Sequence, residues 1–289
     1  MLLDPADQYR RGVSFKEAHA GERAFVVANA WDAGSARLLS QLGFAALATT
    51  SAGLAFALGR SDGVNLLDRE QALDNARSIV AATPLAVSAD LESCYAGSAE
   101  EIATTIRLAA AAGLVGASIE DATGDPDDPI LPVETAVERV TAAVEAARAL
   151  PFPFTLTARA ENFLYGREDL KDTIARLQAY EAAGADVLYA PCLPDAEAIR
   201  LVCSVLDKPV NVLAGVGPML SVDELSALGA RRISLGSALA RAAMGGFLRA
   251  AREVREHGTV CFVEQAVPYG ELNTLMSGTA AGPEEGGRS

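Results

Sequence analysis

An eightfold alternation of short β-like runs with Ala-rich stretches predicts a (β/α)8 barrel for this chain. Three observations carry the prediction. Runs rich in small and branched residues alternate with segments of helical period, the pattern of βα units on a parallel sheet. Glycines at 43, 113, 184 and 229 stand just before strands, where Gly closes a helix in the left-handed conformation. Eight units occupy roughly 210 residues, the size of one barrel, and 289 residues, half of them hydrophobic, suffice for one large core.

Taken in order, residues 1 to 24 are expected to form a leading helix. The first strand runs from Phe25 to Asn29, followed by a helix from Asp32 to Leu42 that Gly43 stops. The second strand, Phe44 to Thr49, leads through a loop to a helix from Asp68 to Ala82. The third, Leu85 to Asp90, leads to Ser98 to Ala112, stopped by Gly113, and the fourth, Val115 to Glu120, to Pro132 to Leu150. The fifth, Phe154 to Arg159, precedes a helix from Glu168 to Ala183 that Gly184 stops. Asp186 to Ala190 with Asp195 to Leu206, Pro209 to Leu213 with Ser221 to Leu228, and Arg231 to Gly236 complete the set. Leu239 to Glu256 is a further helix, followed by a final amphipathic piece. Residues 1–275 form one barrel domain with terminal helices, and the Gly- and Glu-rich stretch 276–289 is expected to be a disordered tail.

A doubly wound open sheet competes with the barrel. Its nucleotide-binding form needs a Gly-rich turn after the first strand, and the turn after Asn29 has Gly34 alone. Gly215-Val-Gly217-Pro218 matches a cofactor loop weakly, because Pro218 and a missing third Gly break the pattern, so it is read as a barrel loop.

Composition narrows the function. A formal charge of -14, with 24 Lys plus Arg against 38 Asp plus Glu, disfavours nucleic acid as a partner. No signal pattern opens the chain and no apolar stretch approaches the roughly 20 residues that cross a bilayer, so a cytoplasmic protein without membrane contact is expected. Cys94, Cys192, Cys203 and Cys261 lack zinc or disulfide spacing and read as reduced, mostly buried thiols. His19 and His257 both fall away from strand ends, against a Ser-His-Asp triad or a multi-His zinc site. Of Lys16, Lys171 and Lys208, the last precedes its strand, against Schiff-base chemistry.

Barrels of this kind carry their sites at the carboxyl ends of the strands. Two runs end in acids: Leu85-Ala-Val-Ser-Ala-Asp90-Leu-Glu92 and Val115-Gly-Ala-Ser-Ile-Glu120-Asp121. Side chains two apart on a strand share a face, so Asp90 and Glu92 point together and Glu120 joins them from the next strand. Three converging carboxylates need protons or a cation, and an all-oxygen set suits Mg2+, or Mn2+, better than zinc. Arg159 ends the fifth strand, where its planar guanidinium would hold a substrate carboxylate or phosphonate. Each acid alone also fits a helix cap, Arg159 fits a structural pair with Glu161 or Asp186, and Trp31 fits core packing as well as a substrate-lining role.

The segments Asn29-Ala-Trp31-Asp32-Ala33, Thr50-Ser51-Ala52-Gly53, Ser88-Ala-Asp90-Leu-Glu92, Ser118-Ile-Glu120-Asp121 and Thr157-Ala-Arg159 together resemble the phosphoenolpyruvate mutase/isocitrate lyase superfamily. The resemblance implies a Mg2+-dependent barrel that makes or breaks a C–C or P–C bond beside a 2-oxo acid through a metal-stabilised enolate. It implies Asp90 as direct metal ligand, Glu92 and Glu120 holding the metal's water shell, and Asp62 as a further acid on the loop after the second strand. Ser51, Ala52 and Gly53 would offer backbone amides to a carboxylate or enolate oxygen, and Arg159 would clamp the leaving half; apart from the resemblance, Trp31 and Asn211 are candidate substrate-lining residues by position, Asn211 with Asn162 as a candidate addition to a phosphonate clamp.

The loop after the fourth strand departs from the family pattern. It reads Asp121-Ala-Thr-Gly-Asp-Pro-Asp-Asp-Pro-Ile-Leu-Pro132, without the Lys-(Lys/Arg)-Cys-Gly-His motif of isocitrate and methylisocitrate lyases and without the Lys and Asn of the mutase and phosphonopyruvate hydrolase. Cleavage releasing a small 2-oxo acid, as in oxaloacetate decarboxylation or the splitting of a 2-hydroxy dicarboxylate, fits what remains. Cys94 or Cys192 could supply a proton. P–C chemistry on phosphonopyruvate is the alternative, and an inactive barrel serving as a binding protein is the second. The resemblance also implies a homodimer or homotetramer with the helix from Leu239 to Glu256 exchanged between barrels.

Overall fold

The structure, a computed structural model, describes residues 3–63 and 66–277. Eight parallel strands close in sequence order into a barrel. In chain order the elements are α1 (Pro5–His19), β1 (Phe25–Asn29), α2 (Ala33–Gln41), β2 (Ala46–Ala48), α3 (Ser51–Ala57), α4 (Arg69–Ala82), β3 (Ala86–Asp90), α5 (Ala99–Ala111), β4 (Gly116–Glu120) and α6 (Val133–Arg148). They continue with β5 (Thr155–Arg159), α7 (Leu170–Ala182), β6 (Val187–Tyr189), α8 (Ala196–Ser204), β7 (Val210–Leu213), α9 (Val222–Ala227), β8 (Arg232–Ser234) and α10 (Ala238–His257). A short 3-10 turn (Cys261–Gln265) and α11 (Tyr269–Ser277) end the described chain. The barrel and every expected strand are present, with ends trimmed by a residue or two. The sequence reading missed α3, taken there as loop. Met276 and Ser277, the first two residues of the expected tail, close α11 instead, and 278–289 lie outside the described residues.

Local chemistry explains the helix starts. Asp32, Asp68, Ser98 and Ser221 each cap a helix in a capping box, accepting from the backbone N–H of the third helical residue, whose side chain returns the bond. Gly113 at φ 93° and Gly229 at φ 108° stop α5 and α9, conformations that a side chain would resist.

Helices and outward-facing strand residues form the main apolar layer, including Leu47, Ile79, Leu114, Ile119, Leu156, Leu177 and Leu188. The barrel's amino end is sealed from below by α1. Its Phe15 packs with Val27, Ala46, Ala86 and Val115, and Gly12 lies so close to the chain entering β5 that a Cβ there would stand 2.4 Å from the Pro153 carbonyl oxygen. None of the described helices is long and apolar enough to cross a membrane.

Candidate active site

Register sets the site. Glu120 on β4 is level with Arg159 on β5, Arg159 with Tyr189 on β6, Tyr189 with Asn211 on β7, and Asn211 with Arg232 on β8. On the other arc Asp90 is level with Ser118. Alternation turns these residues inward, and Asp90, Ser118, Arg159, Tyr189, Asn211, Arg232 and Ser234 line a cavity of about 180 Å3. A narrower recess beside it is bounded by Glu92, Glu120 and Tyr165, with Ser51, Asp62, Arg159 and Leu164 common to both. A roomier cleft of about 500 Å3, bounded by Lys16, His19 and Lys208, lies at the opposite end, away from the acids.

Arg159 is the hub of the acid cluster. Its Nη1 lies 2.7 Å from Asp90 Oδ1 and 3.2 Å from Glu120 Oε2, and its Nε donates to Glu161 Oε1 at 2.7 Å. Burial pushes the Asp90 carboxyl up, but Arg159, with the Ser51 hydroxyl at 2.9 Å and amide at 3.3 Å, outweighs it and holds Asp90 below the usual carboxylate range. Its neighbours have less support, and Glu92 and Asp62 form no ion pair among the described residues. Burial, reinforced by the charges of Asp90 and Asp62, pushes Glu92 up to about 7. Glu120 is raised by burial that Arg159 offsets only in part, and Asp62 by desolvation and the Asp90 charge.

A polar floor adjoins this cluster. Arg232 Nε donates to Asn211 Oδ1 at 2.9 Å, Asn211 Nδ2 donates to Ser234 Oγ at 2.9 Å, and the Tyr189 hydroxyl is hydrogen-bonded with Ser234. The Arg159 guanidinium stacks 5.1 Å above the Tyr189 ring.

The expected residues fall as follows. Asp90, Glu92, Glu120, Asp62, Ser51, Ala52 and Arg159 converge on the two adjoining cavities. The Ser51 amide is spent on Asp90 and the Gly53 amide on Thr50 Oγ1 at 3.2 Å, which leaves Ala52 as the member of that trio whose amide bonds to neither. Trp31 packs over Gly53, where a Cβ would stand 2.9 Å from its own Cβ, and it borders neither cavity. Asn211 lines the cavity with both ends of its amide engaged. Cys94 is fully buried in the apolar layer and borders neither cavity, so its thiol does not face a ligand there; burial pushes that thiol up to about 12. Cys192 borders a separate small apolar recess.

The 121–132 loop is a closed turn. Asp121 is buried beneath it, accepting from Tyr180 at 2.6 Å, Arg176 at 3.2 Å and the Glu161 amide at 2.9 Å, so its charge is used internally. Thr123 ties the turn through the Asp128 carbonyl at 2.6 Å, and Ala122 bridges Ile130.

The sequence reading overlooked Tyr189, Ser234, Tyr165 and Arg232, and gave Glu161 only a pairing role. It inspected strand ends, whereas Arg232 begins its strand; the two-residue alternation with Ser234 and Gly236 was the available signal. A further unread feature is backbone strain: Glu92, Cys94 and Tyr95, directly after β3, have φ of 50°, 61° and 50°.

The donor set fits a hard cation. Asp62, Asp90, Glu92, Glu120 and Glu161 gather round one guanidinium, an excess of negative charge that burial makes costly, and all donors are oxygen. Among the described residues no three acidic, His or Cys side chains stand close enough to grip one ion together. The arrangement suits an ion with one direct carboxylate and a retained water shell, the habit of Mg2+.

Comparison with known proteins bears on this site. The family profile described as phosphoenolpyruvate phosphomutase matches residues 15–255. A crystal structure from Burkholderia cenocepacia J2315, provisionally described as a lyase/mutase, superimposes with a TM-score of 0.91 at 54% identity over 96% of this chain and 98% of that one. The 2-methylisocitrate lyase of Salmonella typhimurium is 31% identical over 74% of each chain. A phosphonopyruvate hydrolase solved with oxalate and Mg2+ shares the fold at a TM-score of 0.81 and 22% identity, over 93% of this chain and 95% of that one.

Proposed function

Because the chain belongs to the phosphoenolpyruvate mutase/isocitrate lyase superfamily, we propose that it is a Mg2+-dependent lyase that cleaves the C–C bond beside a 2-oxo acid, or releases such an acid from a small 2-hydroxy dicarboxylate. One observation carries this reading: Asp90, held ionised by Arg159 and Ser51, sits beside Glu92 and Asp62, which form no ion pair among the described residues. Asp90 would be the cation's direct ligand, with Glu92 and Glu120 fixing its water shell and Asp62 closing the rim. The cation supplies Lewis-acid polarisation of the 2-oxo group. Arg159 keeps Asp90 and Glu120 oriented and adds positive charge beside the scissile bond. The closed turn at 121–132 brings no proton donor, so the new C–H bond takes its proton from solvent. Mn2+ would serve the same donors.

A Mg2+-supplied panel of oxaloacetate, phosphonopyruvate, methylisocitrate, isocitrate and dimethylmalate, followed by proton and phosphorus NMR, tests the reading. Metal-dependent release of a 2-oxo acid from a carboxylic acid, abolished by EDTA, supports it. Turnover of phosphonopyruvate alone would move the protein to P–C chemistry, and absence of Mg2+ binding would leave an inert scaffold. We also propose a homo-oligomer: α10 buries only Ala240 and exposes Phe247 and Leu248, an apolar face suited to a second copy.

A further inference from the structure

Arg232 is a charge without a counter-charge. Its side chain lies inside the barrel, 6% exposed, and among the described residues it forms no ion pair. Nε is held by Asn211 Oδ1 at 2.9 Å, whereas Nη1 is buried with no hydrogen-bond partner. Buried arginines are ordinarily paired, because an unpaired buried ion forfeits its hydration without return. The guanidinium stays protonated at neutral pH even though burial and the Arg159 charge lower it to about 10.

The surroundings do not supply the missing anion. Asn211, Ser234 and Tyr189, its neighbours in the belt, are neutral, and the acids of the cluster are shared by Arg159. Both arginines border the cavity of about 180 Å3, roughly the volume of six waters, which admits a ligand of some six to nine non-hydrogen atoms. Two strands, β6 and β7, separate the two arginines around the wall, so one short ligand with an anionic group at each end spans from the acid cluster to Arg232.

We infer that Arg232, aimed by Asn211, is the subsite for the distal carboxylate of a short dicarboxylate whose 2-oxo or 2-hydroxy acid head lies at Asp90. This rests on the lyase reading and narrows it: the substrate is a dianion of roughly four or five carbons, and monocarboxylic 2-oxo acids are products that leave because they lack the distal anchor.

The test is calorimetric, in chloride-free buffer with saturating Mg2+, using three probes whose integrity over the titration is checked by proton NMR: oxalate for the head alone, lactate for a 2-hydroxy acid without a distal carboxylate, and malate for one with it. The wild type is expected to bind malate at least roughly tenfold more tightly than lactate, and Arg232→Met to lose most of that preference while keeping oxalate affinity. Arg232→Lys, which keeps the charge with fewer donors, is expected to fall between them and serves as the readout if the Met variant does not fold. Equal malate preference in the wild type and either variant would overturn the Arg232 assignment with the lyase reading intact. Failure of the wild type to bind oxalate at all would instead overturn the lyase reading.

Discussion

At the residue scale, Asp90 and His19 show how burial is used in opposite ways. Asp90 accepts from Arg159 and Ser51 and so remains an anion in a crowded acidic site. Asp90→Asn removes the negative charge that Arg159 pairs with and that the proposed cation would need. Mg2+ affinity by calorimetry is expected to fall by roughly 100-fold or more, with the far-UV circular dichroism unchanged. His19, at the end of α1, donates from Nδ1 to the Phe15 carbonyl at 2.7 Å and lies edge-on to Phe15 and Phe25, with ring centroids 4.8 and 4.9 Å away. Burial, aided by Arg232, lowers its imidazolium from 6.5 to about 3. A depressed folded value means that the unfolded chain binds the extra proton first, so stability is retained above pH 6.5 and is lost as pH falls toward 3. Urea unfolding at pH 4.5 is expected to show about 2 to 3 kcal/mol less stability from this group than at pH 7. His19→Phe is expected to flatten that slope; an unchanged slope would show that the proton goes elsewhere.

At the scale of elements, the strand ends and the helix that seals the far end divide the labour. The β3 and β4 ends deliver acids, the β5 end delivers Arg159 and Glu161, and the strained turn after β3 holds Glu92 at φ 50°. Helix α1 reaches the barrel only because Gly12 lets backbone meet backbone at Pro153. Gly12→Ala forces the two apart. The expected cost is about 1 to 3 kcal/mol, seen as a lower Tm, with Mg2+ affinity unaffected because the acid cluster lies at the other end.

For the whole molecule, the proposed association would run through the exposed face of α10 and the segment after it. Phe247, Leu248, Val260, Val263 and Tyr269 are all exposed in a single chain, more apolar surface than an isolated chain comfortably presents. Sedimentation is expected to show a dimer or tetramer, and the double change Phe247→Asp and Leu248→Asp is expected to shift it toward the monomer. A wild type that sediments as a monomer would remove the oligomer proposal.

The barrel was legible in the sequence because periodicity and Gly stops are local: each βα unit announces itself within some 25 residues, and eight of them have one compact way to close. Asp90 and Glu120 were legible for the same reason, ending strands where alternation fixes their direction, whereas Glu92 lies past the end of β3, where the left-handed turn at φ 50° rather than strand alternation aims it. Partnership was not. Register decided that Arg159 would meet Asp90 and Glu120, and that Arg232 would enter the cavity wall without an anion of its own, while the seating of α7 brought Tyr180 and Arg176 to Asp121. Charge pairing depends on which side chains share a level across strands 40 to 200 residues apart in the chain, and closure of the barrel settles that level.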